Sequence, residues 1–395
     1  MFAADIVNPS IKDALRASLM LGLTMSAANI FAQTTVPLLP ADRRIPTPAI
    51  PSLIITPDAR SAAMGDAGVA LSANDGDANS IFWNPGKMPF SNKDMGVSLS
   101  YTPWLRQLVN DMALLNASFY KKIKGNQVVG ASIHYFDQGL FQATDNNGQS
   151  LGNYNSKEYA ITVSYSRKLS DKLGLGVNIK YINSSLFSGI VNGLQVQPAS
   201  TVAADIGLFH TSKNDKKWNY NWGLMIQNIS GRVSYGGSQS NFIPTNLKVG
   251  FAATNMIDAH NKFTLTLDAN KLMVPTPRLD ANGNLAQSST AIAGIFGSFG
   301  DAPDGISEEL KEINLSLGGE YVYNDMFAAR AGYHFENADK GGRKYFTAGF
   351  GVRLEKKYGL DFAYLIPTTG GSPLAQTLRI SLHANFNAAP KVVAN

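Results

Sequence analysis

Two Ser/His pairs are the residues of this chain whose types and spacing could do covalent chemistry. Ser132 and His134 stand two positions apart, as do Ser381 and His383. In an extended strand, positions i and i+2 lie on one face, where an imidazole can take a hydroxyl proton. No third group that would orient either imidazole is evident, and serine recurs at the polar positions throughout. Lining of a polar interior is the plainer assignment. The remaining histidines, His210, His260 and His334, are scattered, without the helical spacing of metal ligands or an HExxH-like run. Asn74-Asp-Gly-Asp-Ala-Asn79 offers oxygen ligands, but it lacks the glycine and glutamate spacing of a calcium loop. A turn built from Asn, Asp and Gly accounts for it. The absence of cysteine excludes disulfides, thiolate metal sites and a Cys nucleophile. No catalytic, cofactor-binding or metal-binding residue is assigned, and the chain is read as no enzyme.

The elements that must position these residues are strands. Between residues 94 and 386 one pattern recurs about fourteen times. Eight to twelve residues alternate apolar and polar, and a polar turn or loop follows. In Lys172-Leu-Gly-Leu-Gly-Val-Asn-Ile-Lys-Tyr181, Leu173, Leu175, Val177, Ile179 and Tyr181 share one face. Gly174, Gly176, Asn178 and Lys180 share the other. Strands of this length, apolar outside and small or polar inside, predict an all-β fold: a 14-stranded antiparallel transmembrane β-barrel of a Gram-negative outer membrane. Strand starts are expected near residues 95, 112, 128, 158, 173, 201, 220, 247, 263, 313, 327, 345, 358 and 377. The composition agrees, with 36 glycines, 35 Phe plus Tyr and 16% charged residues. Mean hydropathy is −0.08, and no long apolar run suggests a membrane helix. Trp104 fits an aromatic interface girdle.

Connections after even-numbered strands are short and basic, as at Lys121-Lys122, Arg167-Lys168, Lys216-Lys217 and Lys356-Lys357. Those after odd-numbered strands include long loops near 137–156, 187–200, 231–243 and 273–311. Short periplasmic turns and long outer loops are the usual asymmetry, so both termini are expected in the periplasm. The net charge of +5 needs no nucleic acid, because no basic stripe is interleaved with aromatics. Residues 1–32 read as a signal peptide, with Lys12 and Arg16 ahead of an apolar stretch and a small-residue exit at Ala32. Residues 33–93 are rich in proline, then in small residues, and read as a plug in the barrel lumen. The barrel spans 94–386. Leu378-Arg-Ile-Ser-Leu-His-Ala-Asn-Phe386 is its closing strand, and 387–395 form a periplasmic tail.

Ser61-Ala-Ala-Met-Gly-Asp-Ala-Gly-Val-Ala70, followed by Asn84-Pro85-Gly86, resembles the plug region of FadL-like outer-membrane proteins. Those barrels pair a small-residue segment with an Asn-Pro-Ala motif, whereas Gly86 stands in the third place here. Within that superfamily, Pro57-Asp-Ala-Arg-Ser-Ala-Ala-Met-Gly-Asp66 and Phe82-Trp-Asn-Pro85 are similar to the PorV (LptO) family of the type IX secretion system. The matching plug positions are Pro57, Asp58, Arg60, Gly65, Asp66, Asn84 and Pro85. This resemblance implies a shuttle that binds the C-terminal signal domain of cargo leaving a SprA-type translocon. It would deliver that cargo to the attachment complex, which holds a PorU-type sortase, among outer-membrane lipid and lipopolysaccharide. One alternative is a FadL-like transporter of long-chain fatty acids or other hydrophobic molecules, with Arg60 or Lys87 as the cation closing an apolar cavity. A second is a lipopolysaccharide or lipid A deacylase using the Ser/His pairs. In the longest loop, Ile295, Phe296 and Phe299 are expected to dock onto the translocon or the cargo signal domain. The competing expectation is a short helix folded over the barrel mouth.

Overall fold

The computed structural model describes residues 44–387 except 107–108, 110, 145–149, 187, 192–193, 213–216, 237–239 and 280–289. The expected signal peptide, residues 33–43 and the tail from 388 lie outside the described residues. Among the described residues, fourteen strands close into one antiparallel barrel. They are β1 Met95–Pro103, β2 Ala113–Lys124, β3 Gln127–Thr144, β4 Ser150–Lys168, β5 Leu173–Ser185, β6 Ala199–Thr211 and β7 Trp218–Ser230. The second half holds β8 Asn246–Met256, β9 Asn261–Leu272, β10 Ile313–Tyr323, β11 Phe327–Phe335, β12 Lys344–Leu354, β13 Tyr358–Pro367 and β14 Leu378–Phe386. Each strand pairs with its sequence neighbours. β14 returns to β1, with Met95 opposite Phe386 and Tyr101 opposite Ile380.

The period of two explains which face each residue takes. In β5, Val177, Ile179 and Tyr181 are exposed on the outer wall, while Asn178 and Lys180 are buried inside. One boundary moves. The fourth strand begins at Ser150 rather than near 158, and β3 runs to Thr144, so most of the expected 137–156 loop is a protruding hairpin. Its alternation is blurred because the register shifts between Asp137 and Leu140, around Gly139 with its φ of +75°. Polar Gln142, Asn153 and Asn155 also stand on its exposed faces. The other long loops fold as well, into a small hairpin at Gly189–Val191 with Leu194–Val196 and another at Arg232–Val233 with Asn241–Phe242. Trp104 does not join an outer girdle. It lines a cavity at the loop end of the barrel, with the Arg379 guanidinium 5.8 Å from its ring centroid.

Residues 44–93 occupy the interior and touch every strand of the wall. The segment contains α1 (Ala59–Ala62), α2 (Ser80–Trp83) and a 3₁₀ helix at Pro85–Phe90. Inward glycines let its backbone meet the wall. A Cβ on Gly176 of β5 would lie 2.5 Å from the Pro85 carbonyl carbon, and one on Gly332 of β11 would lie 2.1 Å from the Gly65 nitrogen. Gly65 itself has a φ of +71°, a conformation that costs glycine nothing and other residues strain.

The segment enters at the loop end. Arg44 donates to Asp304 in the longest loop at 2.9 Å, and Lys340, between β11 and β12, donates to the Arg44 carbonyl at 3.1 Å. It leaves at the turn end, where the Asp94 amide donates to the Phe386 carbonyl at 2.9 Å. Residues 44 and 387 thus stand at opposite ends of the barrel. The chain termini themselves, expected together in the periplasm, lie outside the described residues.

These contacts make a sharp contrast between two glycines. Gly332→Val must displace the Gly65 backbone, at about 1–3 kcal/mol or more for overpacking, whereas a side chain on Gly125 meets nothing within 4 Å. Trypsin should therefore reach Arg60 in the folded, heat-modifiable Gly332→Val protein and not in Gly125→Ala. Equal protection in both would refute the seating described.

Candidate functional site

The expected plug positions form one connected assembly inside the barrel. Pro57 leads into Asp58, which caps α1. The Asp58 carboxylate accepts from the Ser61 amide at 2.9 Å and from Trp83 Nε1 at 2.6 Å. It thereby ties α1 to α2, and Trp83 is fully buried. Arg60 reaches the opposite way. Its Nε and Nη2 donate to the Glu320 carboxylate on β10 at 3.0 and 2.8 Å. Glu320 also takes Arg330 Nε at 2.7 Å, and Arg330 passes on to Asp361 at 2.7 Å. Arg353 closes that chain on Asp361 at 3.0 Å.

Gly65 and Asp66 make the turn after α1. The Gly65 amide donates to Thr347 Oγ1 at 2.9 Å, and Asp66 accepts from Tyr345 and, at 3.0 Å, from Arg379. Asn84 is wholly buried. It accepts from the Gly86 amide at 3.0 Å, so it caps the 3₁₀ helix whose first residue is Pro85. Its amide donates to the Leu208 carbonyl on β6 at 2.9 Å. Gly86 in the third place fits this site, because a Cβ there would stand 2.9 Å from the Gly174 carbonyl oxygen.

Sequence reasoning could not pair these residues with the wall, because their partners lie hundreds of positions away. Asp268 on β9 shows the same. It accepts from the Gly68 and Val69 amides at 2.7 and 2.9 Å. Lys87 donates to the Gly68 carbonyl at 2.8 Å, and Arg60 is committed to Glu320. Arg60 lines a cavity of about 250 Å³, and neither cation lines a second, roomier one. That cavity, of about 610 Å³, opens at the loop end and is walled by Ile45, Pro48, Ile54, Leu105, Phe136 and Leu365 among others. Its cations are Arg343, Arg379 and Lys340.

Neither Ser/His pair is joined by a hydrogen bond among those described. His134 Nε2 donates to the Ser52 carbonyl at 3.0 Å and stacks on Phe82 at 6.1 Å. His383 does have an orienting carboxylate that the sequence did not reveal, Asp361 on the neighbouring strand, 3.4 Å from Nδ1. The Ser381 hydroxyl is engaged elsewhere, with Ser100 at 2.7 Å and the Ala59 amide at 2.9 Å. The space shared by Ser381, Asp361 and His383 is about 30 Å³, and His383 also lines a neighbouring cavity of about 250 Å³ with Arg60 and Arg353. In the acidic turn, Asp77 accepts from the Asn79 amide and from Ser80 Oγ, both at 3.0 Å, at the start of α2.

The longest loop carries α3 (Ala291–Gly297) and α4 (Ile306–Lys311). The three residues expected to dock together diverge. Ile295 is buried, while Phe296 and Phe299 are exposed. The loop is pinned by charge. Lys271 of β9 donates to Glu309 at 2.8 Å and Glu312 at 2.6 Å, and Lys340 donates to Glu308 at 2.8 Å and Glu312 at 2.9 Å.

Together, a closed fourteen-stranded wall with an apolar outside and residues 44–93 packed within it defines a transmembrane β-barrel of the outer-membrane kind. The solved toluene transporter TbuX of Ralstonia pickettii has this fold at 14% identity and a TM-score of 0.51, covering 84% of this chain and 98% of its own. The CymD monoaromatic hydrocarbon channel is similar at 13% identity and a TM-score of 0.51, over 85% and 99%. A FadL homologue of Pseudomonas aeruginosa matches at 11% identity and a TM-score of 0.48, over 85% and 99%. Among curated proteins none matches significantly. The family described as "Type IX secretion system protein PorV" matches residues 39–279. That is more than half of the chain, and the chain belongs to this family. It is therefore an outer-membrane component of type IX secretion.

Two measurements probe this assembly. Asp58→Ala removes a helix cap and leaves the buried Trp83 indole N–H unpartnered, together about 1–3 kcal/mol. Thermal or denaturant unfolding should register that loss, and an unchanged midpoint would contradict the link between α1 and α2. The second is pH dependence of the loop. Burial pushes the Asp301 carboxyl up from 3.8 to about 6. Its charged form is disfavoured in the folded loop, so stability is greatest below pH 4, falls as pH rises towards 6, and is level above. Burial alone would raise Glu308, but Lys340 and Arg44 hold it below its usual value, so its loss lies below about pH 4.5. Exchange protection factors of α4 amides, corrected for intrinsic rate, should be higher at pH 5 than at pH 7. Asp301→Asn should abolish the difference.

Proposed function

We propose that this protein is the outer-membrane shuttle of a type IX secretion system. It binds the C-terminal signal domain of cargo leaving a SprA-type translocon and hands the cargo to the attachment complex with its PorU-type sortase. The observation that carries this reading is the family match, which takes in the interior segment and β1–β9. The filled interior supports it physically. A barrel whose lumen is occupied from Arg44 to Asp94 is suited to presenting a surface, and residues 33–93 act as its plug. In this reading the short turns face the periplasm, together with Asn387, and the long loops face outward, where cargo arrives. The protein acts by binding and performs no chemistry of its own.

A FadL-like transporter of hydrophobic molecules is the second reading, and the largely apolar loop-end cavity with Arg343 and Arg379 in its lining favours it. The two separate cleanly. Purified protein in nanodiscs should retain a cargo bearing its C-terminal signal domain and release the same cargo once that domain is removed. Cells lacking the protein should fail to display cargo while still growing on long-chain fatty acid. Normal display, with lost uptake, would replace the shuttle by the transporter.

A further inference from the structure

The helix α4 is amphipathic the wrong way round for a soluble loop. Glu308 is buried at 5% exposure, and Glu312, just after the helix, at 6%, each held by lysine. Ile306 and Leu310 point outward at 79% and 62% exposure. α3 behaves alike. It seats Gly294 against Phe242, where a Cβ would come within 2.3 Å of the ring, and it exposes Ile292 and Phe296. Because the ion pairs fix α4 from its polar side, its apolar face is held outward by the fold itself.

The surroundings identify what lies against that face. Phe299, Ile306 and Leu310 share a hollow with Leu247, Val249 and Ile313. In β8 the buried Lys248 and Gly250 point inward, so exposed Val249 belongs to the wall that meets lipid. The loop therefore lies against the rim, where its apolar residues adjoin the hydrocarbon-facing wall and the paired Lys271 and Glu309 line the same hollow. We propose that α3 and α4 are embedded in the lipid leaflet at the loop end, with Ile292, Phe296, Phe299, Ile306 and Leu310 among the acyl chains. A contiguous apolar face joined to a membrane-facing wall is stable there and costly in water. The ion pairs of Lys271 and Lys340 act as the hinge pins that keep it down.

The chain has no cysteine, so single cysteine variants carry one environment-sensitive fluorophore each. Phe296→Cys and Leu310→Cys are compared with Phe251→Cys on the outer wall and Thr369→Cys in an exposed loop. The labelled proteins are placed in phospholipid nanodiscs, with heat-modifiability on a gel reporting the folded barrel. A nitroxide on the lipid acyl chain should quench labels at 296 and 310 as it does at 251, and iodide in the water should not. Iodide quenching equal to that at 369 would overturn the proposal. Shielding from both quenchers would overturn it too, since a second protein surface would then cover the face. A further arm uses Lys271→Met, which frees Glu309 and loosens the pins: iodide access at 296 should rise, whereas no change would separate the face from its ion pairs.

Discussion

Closure is the constraint from which the rest of this structure follows. Inside a bilayer each backbone N–H and C=O needs a partner within the protein, so a sheet can cross only if it has no edge. The pairing of β1 with β14, from Met95 opposite Phe386 to Tyr101 opposite Ile380, removes that edge. Once the wall is closed, alternate side chains must face a confined interior, and that interior has to be filled or wetted. This chain fills it with its own residues 44–93.

Filling a closed wall with backbone sets two further requirements. Inward positions must be small where the segment touches, which accounts for Gly176 against Pro85 and Gly332 against Gly65. Inward charges must be paired, because an isolated ion away from water is far costlier than a matched one. The run Arg60–Glu320–Arg330–Asp361–Arg353 meets that requirement across five elements. Such pairs add little net stability over apolar packing. They do fix register, since Arg60 finds both oxygens of Glu320 only when α1 is seated at one height and one rotation.

The loop at 273–312 obeys the same accounting from outside. Glu308, Glu309 and Glu312 turn inward to Lys271 and Lys340, and this leaves Ile306 and Leu310 on the surface. A membrane beside the rim makes that arrangement coherent. The same helix on a soluble protein would be inverted.

The local pattern determined the barrel. All fourteen strands stand where alternation put them, save the early start of β4, because facing in a strand depends only on a two-residue period that a sequence displays directly. The prolines and small residues of 33–93, with the motif at 57–86, set that region apart from the strands in the sequence itself. Tertiary structure decided everything that depends on register around a closed wall. It chose Glu320 for Arg60 and Asp268 for the Gly68 and Val69 amides. It gave His383 a carboxylate, took Ser381 for the Ala59 amide, and brought residue 44 to the loop end. It also divided Ile295 from Phe296, although they are adjacent in the chain. A helix turns successive side chains by about 100°, so which of two neighbours is buried depends on what the helix leans against, and no local pattern carries that.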